Sequence, residues 1–216
     1  MKKFKGFTLA EVLVTLGIIG VVSAMTVPTL MQNYQRQSYV TQLHKTYNEM
    51  SQALLRYQTD RNALNLTEAG LTSQDAVNNF IRTYFKNVKE CDSMDNCFAD
   101  SYKSMNGETV NSYSRTVKSF VLANGAAIRP GYSPSTFSIV NLSVDINGAK
   151  GPNIVGRDLF WLYIYKNGLI DDYSIEGNNA PLSTEDRETS FQELCLKNND
   201  SGCFGKILND NWQMEY

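Results

Sequence analysis

Few side chains in this sequence have the type and spacing to do chemistry. Its one histidine is His44, which removes any multi-histidine metal site, and no two of the four cysteines have the short spacer of a zinc knuckle. Cys91 and Cys97 enclose five residues, Cys195 and Cys203 seven, and both pairs lie in polar segments rich in Asp, Asn and Ser. Four cysteines allow three connectivities. The local one, Cys91 with Cys97 and Cys195 with Cys203, is favoured because each short loop closes at little entropic cost. Nothing spells Cys-x-x-Cys, so a redox-active dithiol is disfavoured.

The densest run of turn formers and oxygen ligands is Asp145 to Asp158. As a phosphate loop it has Gly151 and Gly156 at a suitable separation, but Arg157-Asp158 stands where Lys-Ser/Thr is needed, and the acid would repel phosphate. As an EF-hand it places Asp145 and Asn147 correctly and then fails at Ala149, Lys150 and Gly156. A looser calcium site drawn from Asp145, Asn147, Asn153 and Asp158 with backbone carbonyls is the metal reading that survives. A hydrogen-bonded turn is favoured over it, because Lys150 and Arg157 can neutralise the same acids, and no other cofactor is expected. The chain has no Gly-x-Ser-x-Gly elbow and no paired carboxylates in a glycosidase context, so it does not read as an enzyme. His44, between Gln42 and Lys45 on an amphipathic stretch, is expected to face solvent.

One acid remains, and it sits where acids are expensive. From Phe7 to Met31 the only ionisable side chain is Glu11, while Lys2, Lys3 and Lys5 precede Gly6. A helix of that length extends about 37 Å, enough to cross the ~30 Å hydrocarbon core of a bilayer. Lysines before it predict a cytoplasmic N-terminus with the rest of the chain on the far side, where disulfides persist. A secretory signal cleaved after Val22-Ser23-Ala24, or a plain anchor, leaves Glu11 without a role, although an acid there costs roughly 3 kcal/mol on insertion scales.

Gly6 followed by Phe7-Thr8-Leu9-Ala10-Glu11 resembles the type III signal of type IV pilins and type II secretion pseudopilins. Gly17, Gly20 and Pro28 fall where pilin anchor helices carry flexible or helix-breaking residues. The resemblance implies that a prepilin peptidase cuts after Gly6 and methylates the new amine of Phe7. It also implies that Glu11 pairs with the Phe7 amine of a neighbouring subunit, neutralising two charges that neither could bury alone. Loss of residues 1–6 leaves 17 basic against 22 acidic side chains, a balance of −5.

The elements that would carry this segment follow from periodicity. Val40, Leu43, Tyr47, Met50, Leu54 and Tyr57 recur in steps of three and four, predicting one helix that ends near Asp60 to Leu66. From Phe7 it would reach about 80 Å, with a kink or local melting where Pro28 frees the Ala24 carbonyl. A second helix is signalled by Thr72 with Asp75 as a capping box and by Val77, Phe80, Ile81, Tyr84, Phe85 and Val88 on one face. Arg82, Lys86 and Lys89 on its other face read as a solvated surface.

From Val117 onward, apolar runs are separated by Asn124-Gly125, Asn147-Gly148 and Asn167-Gly168, predicting four or five antiparallel strands. Leu159 to Tyr165 is apolar on both faces, so it should be a central strand with the long helix against one face. With 20 Lys+Arg against 22 Asp+Glu the chain lacks the positive field of a nucleic-acid binder, and 42% hydrophobic residues suffice for a core.

The expected fold is α+β: a long N-terminal helix, half membrane and half amphipathic, packed on an antiparallel sheet of about four strands. A disulfide-closed C-terminal region from Cys195 to Tyr216 resembles that of pilins, while Cys91 and Cys97 are an addition of narrower groups. The expected division is a leader at 1–6, a transmembrane or filament-core helix at 7–31 and an extracytoplasmic head at 32–216. The resemblance implies a structural subunit, a minor pilin or pseudopilin, of a type IV pilus or type II secretion filament. Its partners would be other pilin or pseudopilin subunits, the prepilin peptidase and the bacterial inner membrane, with no nucleic acid. The alternative is a ligand-binding head, membrane-anchored or secreted, which aromatics clustered on an exposed head surface would favour.

Overall fold

The computed structural model describes residues 6–110, 115–197 and 200–216. The chain divides into two units, Met1–Ser38 and Tyr39–Tyr216. Helix α1 (Leu9–Asp60) is helical without interruption through Pro28. The melting expected at Pro28 is therefore not seen: the ring removes one hydrogen-bond donor, and the turns on either side keep theirs.

In the first unit every side chain from Gly6 to Gln35 is exposed. The hydroxyls within the apolar stretch are satisfied by the helix itself: Thr15 Oγ1 donates to the Glu11 carbonyl at 2.9 Å and Thr26 Oγ1 to the Val22 carbonyl at 2.9 Å. Such internal bonding lets a threonine lie in an apolar medium without an orphan donor.

In the second unit α1 buries Val40, Leu43, Thr46, Met50, Ala53, Leu54 and Tyr57. Helix α2 (Gln74–Tyr84) starts after Ser73, whose side chain accepts the Ala76 N–H at 3.1 Å, so the cap lies one residue beyond the predicted Thr72. It ends at Tyr84, and Val88, expected on its apolar face, stands exposed on a strand instead.

Among the described residues the sheet has six strands rather than about four: β1 (Asn87–Cys91), β2 (Ser119–Leu122), β3 (Ala127–Tyr132), β4 (Ser138–Asp145), β5 (Leu159–Tyr165) and β6 (Ile170–Asp171). All neighbours are antiparallel and the spatial order is the chain order. Edge strand β1 escapes sequence reading because Val-Lys-Glu lacks the alternation of a half-buried strand and continues the helical period of α2. Strand β5 lies between β4 and β6 and is buried along its length except for Tyr163.

The β2–β3 turn places Gly125 at φ 93°, a conformation only glycine adopts freely. Beside it, the Asn124 side-chain oxygen accepts the Ala126 N–H at 2.9 Å while its amide donates to Glu49 at 2.9 Å and Thr46 at 3.2 Å, fastening the hairpin to α1. Leu43, Met50 and Leu54 of α1 share one core with Phe80, Phe120, Leu142, Phe160 and Phe204. Each fully buried side chain of that size stabilises the fold by roughly 1.5–3 kcal/mol. The C-terminal region is α3 (Thr184–Glu193), a 3₁₀ turn (Cys195–Lys197) and α4 (Cys203–Asn209).

Candidate functional site

Gly6 and Phe7 precede the first turn of α1, exposed and outside any helix or strand. Lys2, Lys3 and Lys5 lie outside the described residues. Thr8 and Glu11 form a reciprocal capping box. The Glu11 N–H donates to Thr8 Oγ1 at 3.3 Å, and Glu11 Oε2 accepts both the Thr8 N–H and its hydroxyl at 2.8 Å. A carboxylate at this end of a helix also sits at the positive end of the backbone dipole. Both bonds fall on Oε2, and Oε1 carries neither of them. The Thr-x-x-Glu spacing was legible in the sequence, yet it marks the start of the helix as well as the acid.

The helix behind this cap presents Leu9, Leu13, Val14, Leu16, Ile18 and Ile19 to its surroundings, each more than half exposed. Its length and hydropathy fit a membrane anchor. The first unit thus presents an exposed Gly-Phe junction, an acid one turn inside, and an apolar surface that must be covered by something other than water.

Around the loop that follows β4, Asp145 and Asp158 are both fully buried. Asp145 Oδ1 accepts the Asn147 N–H at 3.1 Å and Oδ2 accepts the Tyr102 hydroxyl. Asp158 accepts the Asn153 N–H at 2.7 Å and the Ile154 N–H at 2.6 Å, one on each oxygen. Oriented to satisfy its amide, Asn147 turns its nitrogen, not its oxygen, toward Asp145 Oδ1 at 3.0 Å. Asn153 Oδ1 is buried without a hydrogen-bond partner.

Burial pushes the Asp145 carboxyl up to about 7, against the pull of the Tyr102 hydroxyl and with help from nearby Asp158. Asp158 is raised as well, again by burial first. No cluster of three His, Cys, Asp or Glu side chains able to hold a metal occurs among the described residues. All four carboxylate oxygens accept bonds from the chain, a donor set that fits a hydrogen-bonded turn more closely than the six to eight oxygens of calcium. The Arg157 guanidinium donates to the Tyr216 carbonyl and lies over the Tyr216 ring at 5.3 Å.

Cys91 is bonded to Cys97 and Cys195 to Cys203. The second bridge closes a region held by two acids that sequence reading passed over. Asp171 receives a bidentate pair from Arg187, Nε to Oδ1 at 2.8 Å and Nη2 to Oδ2 at 2.7 Å. Asp172 accepts the N–H groups of Tyr173 at 2.7 Å, Gly202 at 2.9 Å and Gly205 at 2.5 Å, tying the end of β6 to the start of α4. Burial raises the Asp172 carboxyl to about 6 despite those three donors. The Tyr216 hydroxyl donates to the Gly156 carbonyl at 3.0 Å, joining the chain end to the loop above.

His44 is not solvent-facing as expected. It is half-buried and stacks on Trp212 with ring centroids 3.9 Å apart, because the C-terminal segment folds back over this part of α1. On α2 and β1, Arg82 is paired with Glu90 at 2.6 Å and the Lys89 ammonium donates to the Asn96 carbonyl at 2.5 Å, so these two cations are committed locally.

Residues 1–27 match the family model described as the prokaryotic N-terminal methylation motif. This is the prepilin-type cleavage and methylation motif of type IV pilin-like proteins. No curated protein and no solved structure matches the chain. The long N-terminal helix, antiparallel sheet and disulfides make the fold α+β and pilin-like. The motif supports a type IV pilin- or pseudopilin-like reading and suggests a structural protein that assembles with other pilin subunits, and the single apolar N-terminal helix fits membrane anchoring.

Proposed function

We propose that the chain is a minor pilin or pseudopilin, a structural subunit of a type IV pilus or type II secretion filament. The observation that carries this reading is the motif over residues 1–27 together with an apolar helix surface that no described residue covers. Lipid covers that surface while the subunit is stored in the bacterial inner membrane, N-terminus cytoplasmic and head on the far side. Neighbouring helices cover it once the subunit is drawn into a filament, and burial of apolar area drives the packing.

A prepilin peptidase would cut between Gly6 and Phe7, and the methylated Phe7 amine of one subunit would meet Glu11 of the next. Glu11 Oε1, which carries none of the capping bonds, is the oxygen available for that ammonium. Intact mass of the membrane-extracted protein should show a chain beginning at N-methylated Phe7. A chain beginning at Met25 would overturn the reading in favour of a secretory signal.

One observation favours the ligand-binding alternative. Phe137, Tyr163, Tyr165 and Tyr173 line a cavity of about 140 Å³ with Ser135 and Asn178. Its volume is below the roughly 300–1,000 Å³ of ordinary ligand sites, and Asn178 and Ser174 are already bonded to Asp186, so filament assembly remains the better supported reading.

A further inference from the structure

The Tyr39–Tyr216 unit carries a groove of about 320 Å³ between α1, the end of α2 and the β2–β3 turn. Ala53, Leu122 and Phe85 give it an apolar floor, and Lys45, Arg56 and Lys86 stand on its rim. Among the described residues none of these three cations has a hydrogen-bond or ion-pair partner, in contrast to Arg82 and Lys89 nearby. The single acid on the wall, Glu49, is held by the Asn124 amide at 2.9 Å. Three cations thus converge on one groove against one carboxylate.

The same chain offers a surface of opposite sign. Along α3, Glu185, Glu188 and Glu193 border a shallow trough; Glu185 has no partner among the described residues, while Glu188 meets Lys206 at 3.2 Å and Glu193 meets Lys197 in an exposed pair of the kind that contributes little in water. Their spacing covers about 12 Å of helix, while Lys45 to Arg56 covers about 16 Å of α1. A negative helix face of about 12 Å can lie within a positive groove of about 16 Å. Copies of a chain with net charge −2, or −5 after loss of the leader, repel one another on average. They can dock only where charge is segregated locally, as it is here.

We propose that this groove receives the acidic face of α3 from a second copy of the chain. The proposal rests on the assembly reading and specifies which head surfaces meet. Lys45 would pair with Glu185 and Arg56 with Glu193, which would give up its exposed contact with Lys197, with Lys86 beside them, while the apolar floor excludes water from the contact.

The test uses the full chain in cells that assemble it, with a benzophenone amino acid at Gln52, an exposed groove residue. Light should join Gln52 of one copy to a peptide within residues 184–193 of another in sheared filaments. Lys45→Glu with Arg56→Glu should cut that cross-link and filament incorporation about tenfold at unchanged membrane level and unchanged melting, the scale on which a charge mismatch acts. Adding Glu185→Lys and Glu193→Lys should restore both. A cross-link elsewhere in the chain or to an unrelated protein, or reversal without rescue, overturns the groove pairing. If wild-type chain is absent from filaments altogether, it is the assembly reading that fails.

Discussion

Glu11 is a carboxylate with one partner in hand, Thr8, and on the proposed reading it gains a second in the filament. Within a single chain its Oε2 caps Thr8, but the charge still lies in an apolar segment. Pairing with a neighbour's ammonium neutralises both groups. Glu11→Ala should therefore leave insertion intact, since a more apolar helix inserts more readily, and should lower the fraction recovered in sheared filaments about tenfold or more. Equal incorporation of mutant and wild type would remove the pairing. Asp145 and Asp158 pose a different question, because their oxygens already accept bonds from Asn147, Tyr102, Asn153 and Ile154. Thermal unfolding of the full chain in detergent should be the same with millimolar calcium and with chelator. A rise in Tm with calcium that Asp158→Asn abolishes would instead make the loop a calcium site, with the orphan Asn153 Oδ1 as its amide ligand.

At the scale of elements, the junction between α3 and α4 depends on Gly202. Its φ of 90° is one that side-chain-bearing residues rarely adopt, and a Cβ there would run into the Ser190 carbonyl. Gly202→Ala should shift the backbone that brings Cys203 to Cys195 and the N–H groups of Gly202 and Gly205 to Asp172. The expected cost is roughly 2 kcal/mol or more, visible in urea unfolding followed by fluorescence of buried Trp161, together with thiols that become trappable. An unchanged midpoint would show that the junction tolerates the strain. Signals carried by periodicity or by turn chemistry were legible in advance: α1 from the spacing of Leu43, Met50 and Leu54, β5 from its unbroken apolar run, the hairpins from Asn-Gly. Contacts set by distant parts of the chain were not. Asp172 gains its donors from α4, His44 gains Trp212 from the C-terminal segment, and β1 becomes a strand only because β2 pairs with it.

For the whole molecule, the buried acids set a pH dependence opposite to that of ordinary surface carboxylates. Asp145, raised to about 7, and Asp172, raised to about 6, hold their protons more tightly folded than unfolded. The stability they contribute is fully present below the unfolded value of about 4 and is lost as pH rises through 6 and 7. Glu90, held down to about 2 by Arg82, works the other way and loses its contribution as pH falls below about 4.5. Near-UV circular dichroism of the full chain should give a Tm at pH 5 above that at pH 8 by roughly 5 °C or more. A flat profile would mean that both acids are ionised in the folded head. The order of the sheet has a consequence for how such a head is made. Because β1 to β6 lie side by side as they follow in the chain, each strand pairs with the one delivered just before it, and no strand must wait for a late partner to be threaded between two others. A chain supplied from N- to C-terminus can therefore lay down its sheet one hairpin at a time, with one growing edge at any moment besides the constant edge at β1.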